Sequence, residues 1–149
     1  MTIKKVPTNH PDLLNLVDEL NQFFVAEWGE DVNDSYASHH ELSSMKAAFM
    51  AMVDIIPVWC ACWKERTDGQ AEIKRMYIKP QFRGLKLADK LLLEAENDIK
   101  SLGYKKAVLE TGSEMKQAIK FYEKLGYQQI PNLGEFINDN LCICLAKKL

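Results

Sequence analysis

The stretch MYIKPQFRGLKLADKLL, residues 76–92, changes from a strand pattern to a helix pattern at Arg83 and Gly84. The apolar and β-branched residues before Pro80 are typical of a strand, and Pro80 stops further pairing because it has no backbone N–H. From Gly84 onward, apolar residues recur at helical spacing. The stretch therefore predicts a strand over 71–79, a tight turn, and then a long helix over 84–102.

The start of this predicted helix offers the chemistry of an anion site. Gly84 permits tight backbone curvature and has no Cβ to hold a ligand away. The first amide groups of a helix lack partners within the helix, and the positive end of the helix dipole lies behind them. Arg83 and Lys86 add two cationic side chains. These residues predict a phosphate-binding turn, although an ordinary strand-to-helix turn explains them equally well when they are taken alone.

Composition places the chain among globular proteins. Of its 149 residues, 47% are hydrophobic and 27% are charged, which fits a single domain over residues 1–149. The formal net charge of −2 lacks the basic excess of nucleic-acid-binding proteins, so no nucleic-acid partner is expected. No apolar run approaches the roughly 18 residues that span a bilayer, and the N-terminus lacks the apolar core of a signal peptide. We therefore expect a cytoplasmic protein that does not enter a membrane.

The four cysteines form two C-x-C pairs, at positions 60 and 62 and at positions 142 and 144, each inside a strand-like run. Free cysteine usually packs as a small apolar residue, and zinc sites usually show C-x2-C spacing or histidine partners. We therefore predict four reduced core residues and no metal site. The histidine pair His39 and His40 is expected on the exposed surface.

The order of the remaining elements indicates the fold class. A first helix is predicted over residues 11–28, two neighbouring strands meet near Ile56, and Asp68-Gly69 is a strong hairpin signal. A strand over 105–111, a helix capped by Ser113 and two closing strands follow the long helix. Residues 30–46 are ambiguous, with a short second helix as one interpretation. The sequence thus predicts an α/β fold, in which a mixed sheet has helices on its faces.

Two strands have patterns that predict which side chains share a face. Trp59 and Trp63 are expected on the face opposite Cys60 and Cys62, with the tryptophans in the core. In the strand over 71–79, simple alternation predicts one face made of Ile73, Arg75 and Tyr77, and another made of Glu72, Lys74, Met76 and Ile78.

Three segments together carry a family resemblance. The stretch EIKRMYIKPQFRGLKLADKLL, followed by LGYKKAVLETGS and AIKFYEKLGY, resembles the GCN5-related N-acetyltransferases (GNAT), strongly over about residues 48–130. The family pattern Q/R-x-x-G-x-G/A corresponds to Gln81–Lys86, with Lys86 where glycine or alanine is usual. Met115 stands where many members have asparagine. The resemblance implies a mostly antiparallel mixed sheet flanked by helices, acetyl-CoA as the donor, and a primary amine as the acceptor.

The resemblance also implies where the donor binds. In this family the strand before the turn splays from its neighbour, and its free backbone groups pair with the pantetheine arm. In this sequence those groups belong to Met76, Tyr77 and Ile78. The residues implied around the pyrophosphate are Arg83, Gly84, Leu85, Lys86, Leu87 and Ala88.

Acetyl transfer to an amine needs a proton for the departing thiolate and a base for the ammonium. With the resemblance, Tyr122 is the candidate proton donor, whereas helix periodicity alone favours a core tyrosine. Glu72 and Glu110 are the candidate bases, Glu110 could instead be a counter-ion for the amine, and solvent is a third candidate base. The resemblance also places Glu27 and Trp28 beside the acceptor pocket.

Three hypotheses for function follow from the resemblance. The first is an enzyme that acetylates a small-molecule amine by direct attack in a ternary complex. The second is an acetyltransferase for a protein N-terminus or a lysine side chain, and the third is an acyl-CoA-binding domain without catalysis. A homodimer and a longer acyl donor are both left open by the sequence.

Overall fold

The computed structural model describes residues 1–29 and 41–149. His39, His40 and most of the ambiguous segment 30–46 therefore lie outside the described residues, as does the side chain of Trp28. A short 3-10 turn, Leu42–Ser44, lies at the end of that segment.

The centre of the fold is a seven-stranded sheet with the strand order β1-β2-β3-β4-β5-β7-β6. The pairing between β4 and β5 is parallel and the other pairings are antiparallel. The strands are β1 Thr2–Val6, β2 Ala47–Val53, β3 Ile56–Glu65, β4 Ala71–Ile78, β5 Lys106–Gly112, β6 Gln128–Ile130 and β7 Cys142–Lys148. The helices are α1 Pro11–Trp28, α2 Leu87–Ser101 and α3 Lys116–Lys124. The predicted mixed sheet flanked by helices is confirmed.

Strand β1 was absent from the predicted order. Its five residues are mostly exposed and only Val6 is buried, so the segment has no apolar pattern that a strand prediction could detect. It forms because it lies at the sheet edge, where β2 satisfies its backbone groups along one side.

Each face of the sheet covers its own core. Trp59 and Trp63 pack with the buried side of α2, whereas Cys60 and Cys62 pack with the buried side of α1. The predicted alternation of β3 is therefore confirmed. All four cysteines are buried and unpaired. No helix in residues 1–29 or 41–149 is long and apolar enough to cross a membrane.

The predicted alternation of β4 is wrong after Lys74. Cys62 pairs with Lys74 and Cys60 with Tyr77, so the single residue between the cysteines faces two residues of β4. Arg75 has a φ of 55°, and this β-bulge reverses which residues point to each face. Ile73 consequently packs in the α2 core, whereas Tyr77 packs in the α1 core.

The helix after β4 begins three residues later than its pattern predicts. Lys86 is left-handed with a φ of 55°, and α2 starts at Leu87. Leu85 therefore lies outside the helix and is 60% exposed. Leu102 follows the last helical turn and is also exposed.

The cap predicted for α3 is also wrong. The helix begins at Lys116, and the Ser113 hydroxyl instead donates to the Asn140 carbonyl at 3.1 Å. Ser113 thus joins the loop after β5 to the loop before β7.

Candidate active site

An opening between β4 and β5 is the main feature of the sheet. The two strands pair at only two positions, Ala71 with Ala107 and Glu72 with Val108. Beyond these positions β4 stays paired with β3, while β5 stays paired with β7 up to Gly112. The bulge at Arg75 bends and twists β4 just after the last shared pair. The β5-facing backbone of residues 73–78 therefore has no partner in β5.

A cavity of about 220 Å³ lies at this opening. Its polar lining includes Glu72 and Arg75 from β4 and Glu110 from β5. Helix α3 contributes Tyr122, and α1 contributes apolar side chains. Four of the predicted site residues thus meet at one cavity, namely Glu72, Met76, Glu110 and Tyr122.

Tyr122 reaches the cavity from α3. Its hydroxyl donates to the Met76 Sδ atom at 3.5 Å, and its ring packs edge-on against Tyr127 at 5.7 Å between centroids. Burial, helped by the negative charge of Glu110, raises the pKa of Tyr122 well above its usual value of 10. The phenol is therefore protonated throughout the neutral range and has a proton available to donate.

The two candidate carboxylates have different environments. Glu72 is fully buried, and its oxygens lie 2.9 Å from Arg66 Nη1 and 3.1 Å from Lys74 Nζ. Two cations therefore contact this buried side chain directly. Burial raises the pKa of Glu110 to about 7, and the charge of Glu72 adds to this effect while Lys74 opposes it. Glu110 therefore exchanges a proton in the neutral range.

Arg66 organises one wall of the site. Its guanidinium donates to Glu72, to Asp68 at 3.1 Å, and to both oxygens of Glu135 at 2.8 and 2.9 Å. These bonds connect the β3–β4 hairpin to the segment before β7. Sequence reasoning missed Arg66 because Glu135 lies 69 positions away along the chain. Its place beside the predicted Asp68-Gly69 turn was the only local signal.

The predicted anion turn lies beyond the end of β4, outside the cavity. Gly84 has a φ of 80°, and a Cβ built on it would meet nothing within 4 Å, so the space above it is open. The Arg83 side chain folds back, and its Nε atom donates to the Ile78 carbonyl at 3.2 Å. No described side chain caps the N-terminus of α2. The turn is exposed on the surface, as a phosphate site requires.

The remaining predicted residues have separate positions. The Tyr77 side chain points away from the cavity, and its hydroxyl donates to Glu19 on α1 at 3.2 Å. Ile78 packs against the α2 core. Met115 lines the cavity, and its Sδ atom accepts from the Thr111 hydroxyl at 3.7 Å. In the described part of the chain, no group of three or more histidine, cysteine or acidic side chains could hold a metal.

Sequence comparison places these features in a known group. The family model described as acetyltransferase (GNAT) family matches residues 13–127. Among curated proteins, the uncharacterized N-acetyltransferase YjgM of Escherichia coli K12 is 42% identical over 59 residues, which cover 40% of this chain and 35% of that protein. The chain spans between 26% and 53% of the length of the curated relatives it matches.

Solved structures share the fold along nearly the whole chain. The PaiA N-acetyltransferase of Thermoplasma acidophilum in complex with coenzyme A superposes with a TM-score of 0.74, at 20% identity, over 100% of both chains. Aminoglycoside 6′-acetyltransferase type Ii gives a TM-score of 0.70 at 23% identity, over 99% of this chain and 97% of that one. With the family match over most of its length and the divergence of β4 from β5, the chain belongs to the GNAT acetyltransferase family.

Proposed function

We propose that the protein transfers an acetyl group from acetyl-CoA to a primary amine of a small molecule by direct attack in a ternary complex. The single observation that carries this proposal is the opening between β4 and β5, where Tyr122 and Glu110 line one cavity. An acyl donor can enter such an opening as an added strand, and the two side chains supply an acid and a base.

The donor is proposed to bind along β4 and the following turn. Backbone groups of Met76, Tyr77 and Ile78 that face β5 have no partner in β5, and they can bond to the amide groups of a pantetheine arm once Arg83 releases the Ile78 carbonyl. The turn Arg83–Ala88 is proposed to receive the diphosphate, because Gly84 leaves open space beside the uncapped start of α2. The Thermoplasma relative, which was solved with coenzyme A, supports this choice of donor.

Glu110 is a better base than Glu72 in this mechanism. A carboxylate with a pKa of about 7 takes a proton from an ammonium group readily near neutral pH and releases it again. Glu72 is held by Arg66 and Lys74, so its proposed role is to keep the wall of the site in place. A counter-ion role for Glu110 is compatible with its role as base, because the carboxylate can bind the ammonium before it accepts the proton.

The chemical step then has a balanced course. The neutral amine nitrogen attacks the thioester carbonyl carbon, a C–N bond forms, and the C–S bond breaks. The departing thiolate takes the Tyr122 proton. Burial raises the pKa of the thiol, which favours this transfer, and it also raises the pKa of Tyr122, which opposes it. The ammonium loses two protons in total. One restores Tyr122, and the other leaves to solvent through Glu110.

A small acceptor is compatible with the size of the cavity. A cavity of about 220 Å³ accommodates a compact amine. The name of aminoglycoside 6′-acetyltransferase type Ii gives a small molecule as its acceptor, which supports the same choice here. Four buried thiols without disulfide partners fit a reducing compartment, so a cytoplasmic location is part of the proposal.

Substitution of Tyr122 tests the mechanism. Tyr122→Phe should lower kcat by about 10²–10⁴-fold in a thiol-release assay, because it removes the proton donor. The Kd for coenzyme A, measured by calorimetry, should stay within about twofold because the ring remains. Tyr127→Phe is the matched control, since it removes a buried hydroxyl that does not line the cavity. Equal rates for Tyr122→Phe and the control would remove Tyr122 from the mechanism.

A further inference from the structure

Arg75 is a buried cation at the cavity that the proposed mechanism does not use. The side chain belongs to the bulge of β4, lines the cavity, and is 5% exposed. Its Nη2 atom donates to the side-chain oxygen of Asn21, which lies on α1 between two residues that also line the cavity, Leu20 and Phe24. Its Nε atom is buried and has no hydrogen-bond partner among the described residues.

The charge of Arg75 is not balanced by any contact in the described chain. No ion pair within residues 1–29 and 41–149 includes Arg75, whereas the buried Arg66 contacts three carboxylates. The thiols of Cys60 and Cys62 lie nearby, but burial raises the pKa of both, to about 12 for Cys62, so they are neutral at physiological pH. A guanidinium stays protonated even when burial lowers its pKa.

An unpaired buried charge is strongly destabilising, so proteins rarely retain one without an anion to pair with it. Glu110 exerts an attractive charge effect on Arg75 but forms no ion pair with it. Glu72 and Lys74 also line the cavity, but they form an ion pair with each other at 3.1 Å. Glu110 from β5 and Arg75 from β4 form no such pair, and α1 adds the apolar side chains of Leu20 and Phe24 to the same lining. A ligand that matches this lining has an amino group, an anionic group and an apolar body.

We propose that the acceptor is an amino acid or a related amino-carboxylate, whose carboxylate pairs with Arg75 while its amino group faces Glu110. The proposal rests on the proposed function and names the substrate class of the same site. A carboxylate suits a guanidinium because it accepts two parallel N–H bonds. It would supply Arg75 with an anionic partner that residues 1–29 and 41–149 do not provide, and it would draw the reactive amine toward the opening between β4 and β5.

Matched pairs of amines test this assignment. Acetyl transfer is measured with glycine and glycinamide, and with leucine and leucinamide, over a range of concentrations. We expect kcat/KM to be at least about tenfold higher for each acid, mainly through a lower KM. The comparison is stringent because the amine of each carboxamide is less basic, and a larger fraction of it is therefore neutral and able to attack near neutral pH. Basicity alone would thus favour the carboxamide.

Substitution of Arg75 should abolish that preference. Arg75→Met should raise KM for the amino acids about tenfold or more, so that kcat/KM for each acid falls to within about twofold of the value for its carboxamide in the same variant. Arg75→Lys should restore only part of the preference, because it keeps the charge without the planar fork. Lys79→Met is the matched control, since it removes a cation that pairs with Glu19 just after β4 and does not line the cavity. A preference that persists in Arg75→Met would overturn the assignment.

A binding measurement separates this proposal from the proposed function. Calorimetry with leucine and leucinamide is carried out on the wild-type protein in the presence of coenzyme A, so it depends neither on turnover nor on the folding of a variant. Tighter binding of leucine supports the carboxylate assignment even if no amine is acetylated, in which case the proposed function alone fails. Equal or weaker binding of leucine overturns the carboxylate assignment, even if other amines are acetylated.

Discussion

The Tyr122 hydroxyl donates to the Met76 Sδ atom at 3.5 Å and so links α3 to β4 across the opening in the sheet. The atom that accepts this hydrogen bond is the thioether sulfur of Met76. When a thioester is cleaved, the sulfur of the leaving thiolate must likewise receive a proton. Tyr122 therefore already points a proton toward a sulfur at the place where the proposed donor would enter. Met76 can accept this bond because the bulge at Arg75 turns its side chain toward the α2 face.

Gly84 tests the proposed diphosphate site. Gly84→Val should abolish measurable coenzyme A binding by calorimetry, because the new side chain occupies the open space above the turn. Its φ of 80° also makes any side chain unfavourable, by about 1–2 kcal/mol of folding stability. Gly103→Val is the matched control, since Gly103 has a φ of 94°, equally open surroundings, and a position at the far end of α2.

The two variants should lose similar stability in denaturant unfolding, but only Gly84→Val should lose binding. Undiminished coenzyme A affinity in Gly84→Val would show that the turn is not the diphosphate site.

Much of this architecture could be predicted because local patterns specify it. The helix stripe of α2, the alternation of β3 and the Asp68-Gly69 hairpin are each contained in short segments, and the motifs from β4 to α3 indicate the family. These predictions of fold and family are confirmed by the sheet topology and the family match.

Most of the errors share a physical origin, which is that tertiary contacts overrode a local pattern. One extra residue at Arg75 inverts the second half of β4, and no residue in β4 signals it because the bulge is defined by the register with β3. Strand β1 exists only because β2 pairs with it. The hydrogen bonds of Arg66 and Arg75 are made to residues distant in sequence. The polar lining of the site could therefore be predicted only in part.

Two substitutions of Lys86 separate the effect of its left-handed backbone from the effect of its charge on stability and coenzyme A binding. Its φ of 55° is unfavourable for lysine, so Lys86→Gly should raise the free energy of unfolding by about 0.5–1 kcal/mol after the entropic cost of glycine is subtracted. Lys86→Ala is the matched control because it removes the same charge and keeps the unfavourable φ. The alanine variant should gain no stability in denaturant unfolding.

Coenzyme A affinity should fall by the same factor in both Lys86 variants if only the ammonium group contributes. A larger fall in affinity for Lys86→Gly than for Lys86→Ala would mean that the fixed left-handed backbone at position 86 itself helps to form the site.

The Arg66 network tests how the wall of the cavity is held. Arg66→Met should destabilise the protein by about 3–5 kcal/mol in denaturant unfolding, because it removes one of the two cations that hold the buried carboxylate of Glu72. Asp68→Asn should cost less than about 1 kcal/mol, since Asp68 is the most exposed of the three carboxylates that pair with Arg66. Equal losses in the two variants would contradict a structural role for the buried pair.

The raised pKa of Glu110 predicts opposite pH trends for stability and activity. Between the ordinary carboxyl pKa of about 4.5 and the folded value of about 7, the unfolded chain loses a proton that the folded protein keeps. The contribution of Glu110 to the free energy of unfolding is therefore fully present below pH 4.5. About 3 kcal/mol of it is lost as the pH rises to 7. Over the same range kcat/KM should rise, because the base becomes ionised.

Glu110→Gln separates Glu110 from the other titrating groups, which both proteins share. The difference in unfolding free energy between the variant and the wild type should shift in favour of the variant as the pH rises from 4.5 to 7, and then level off. The variant should also lose the rise of kcat/KM near pH 7. If that rise persisted with the same midpoint in Glu110→Gln, Glu110 would not be the base. Direct deprotonation of the substrate ammonium group by solvent would then be the better explanation.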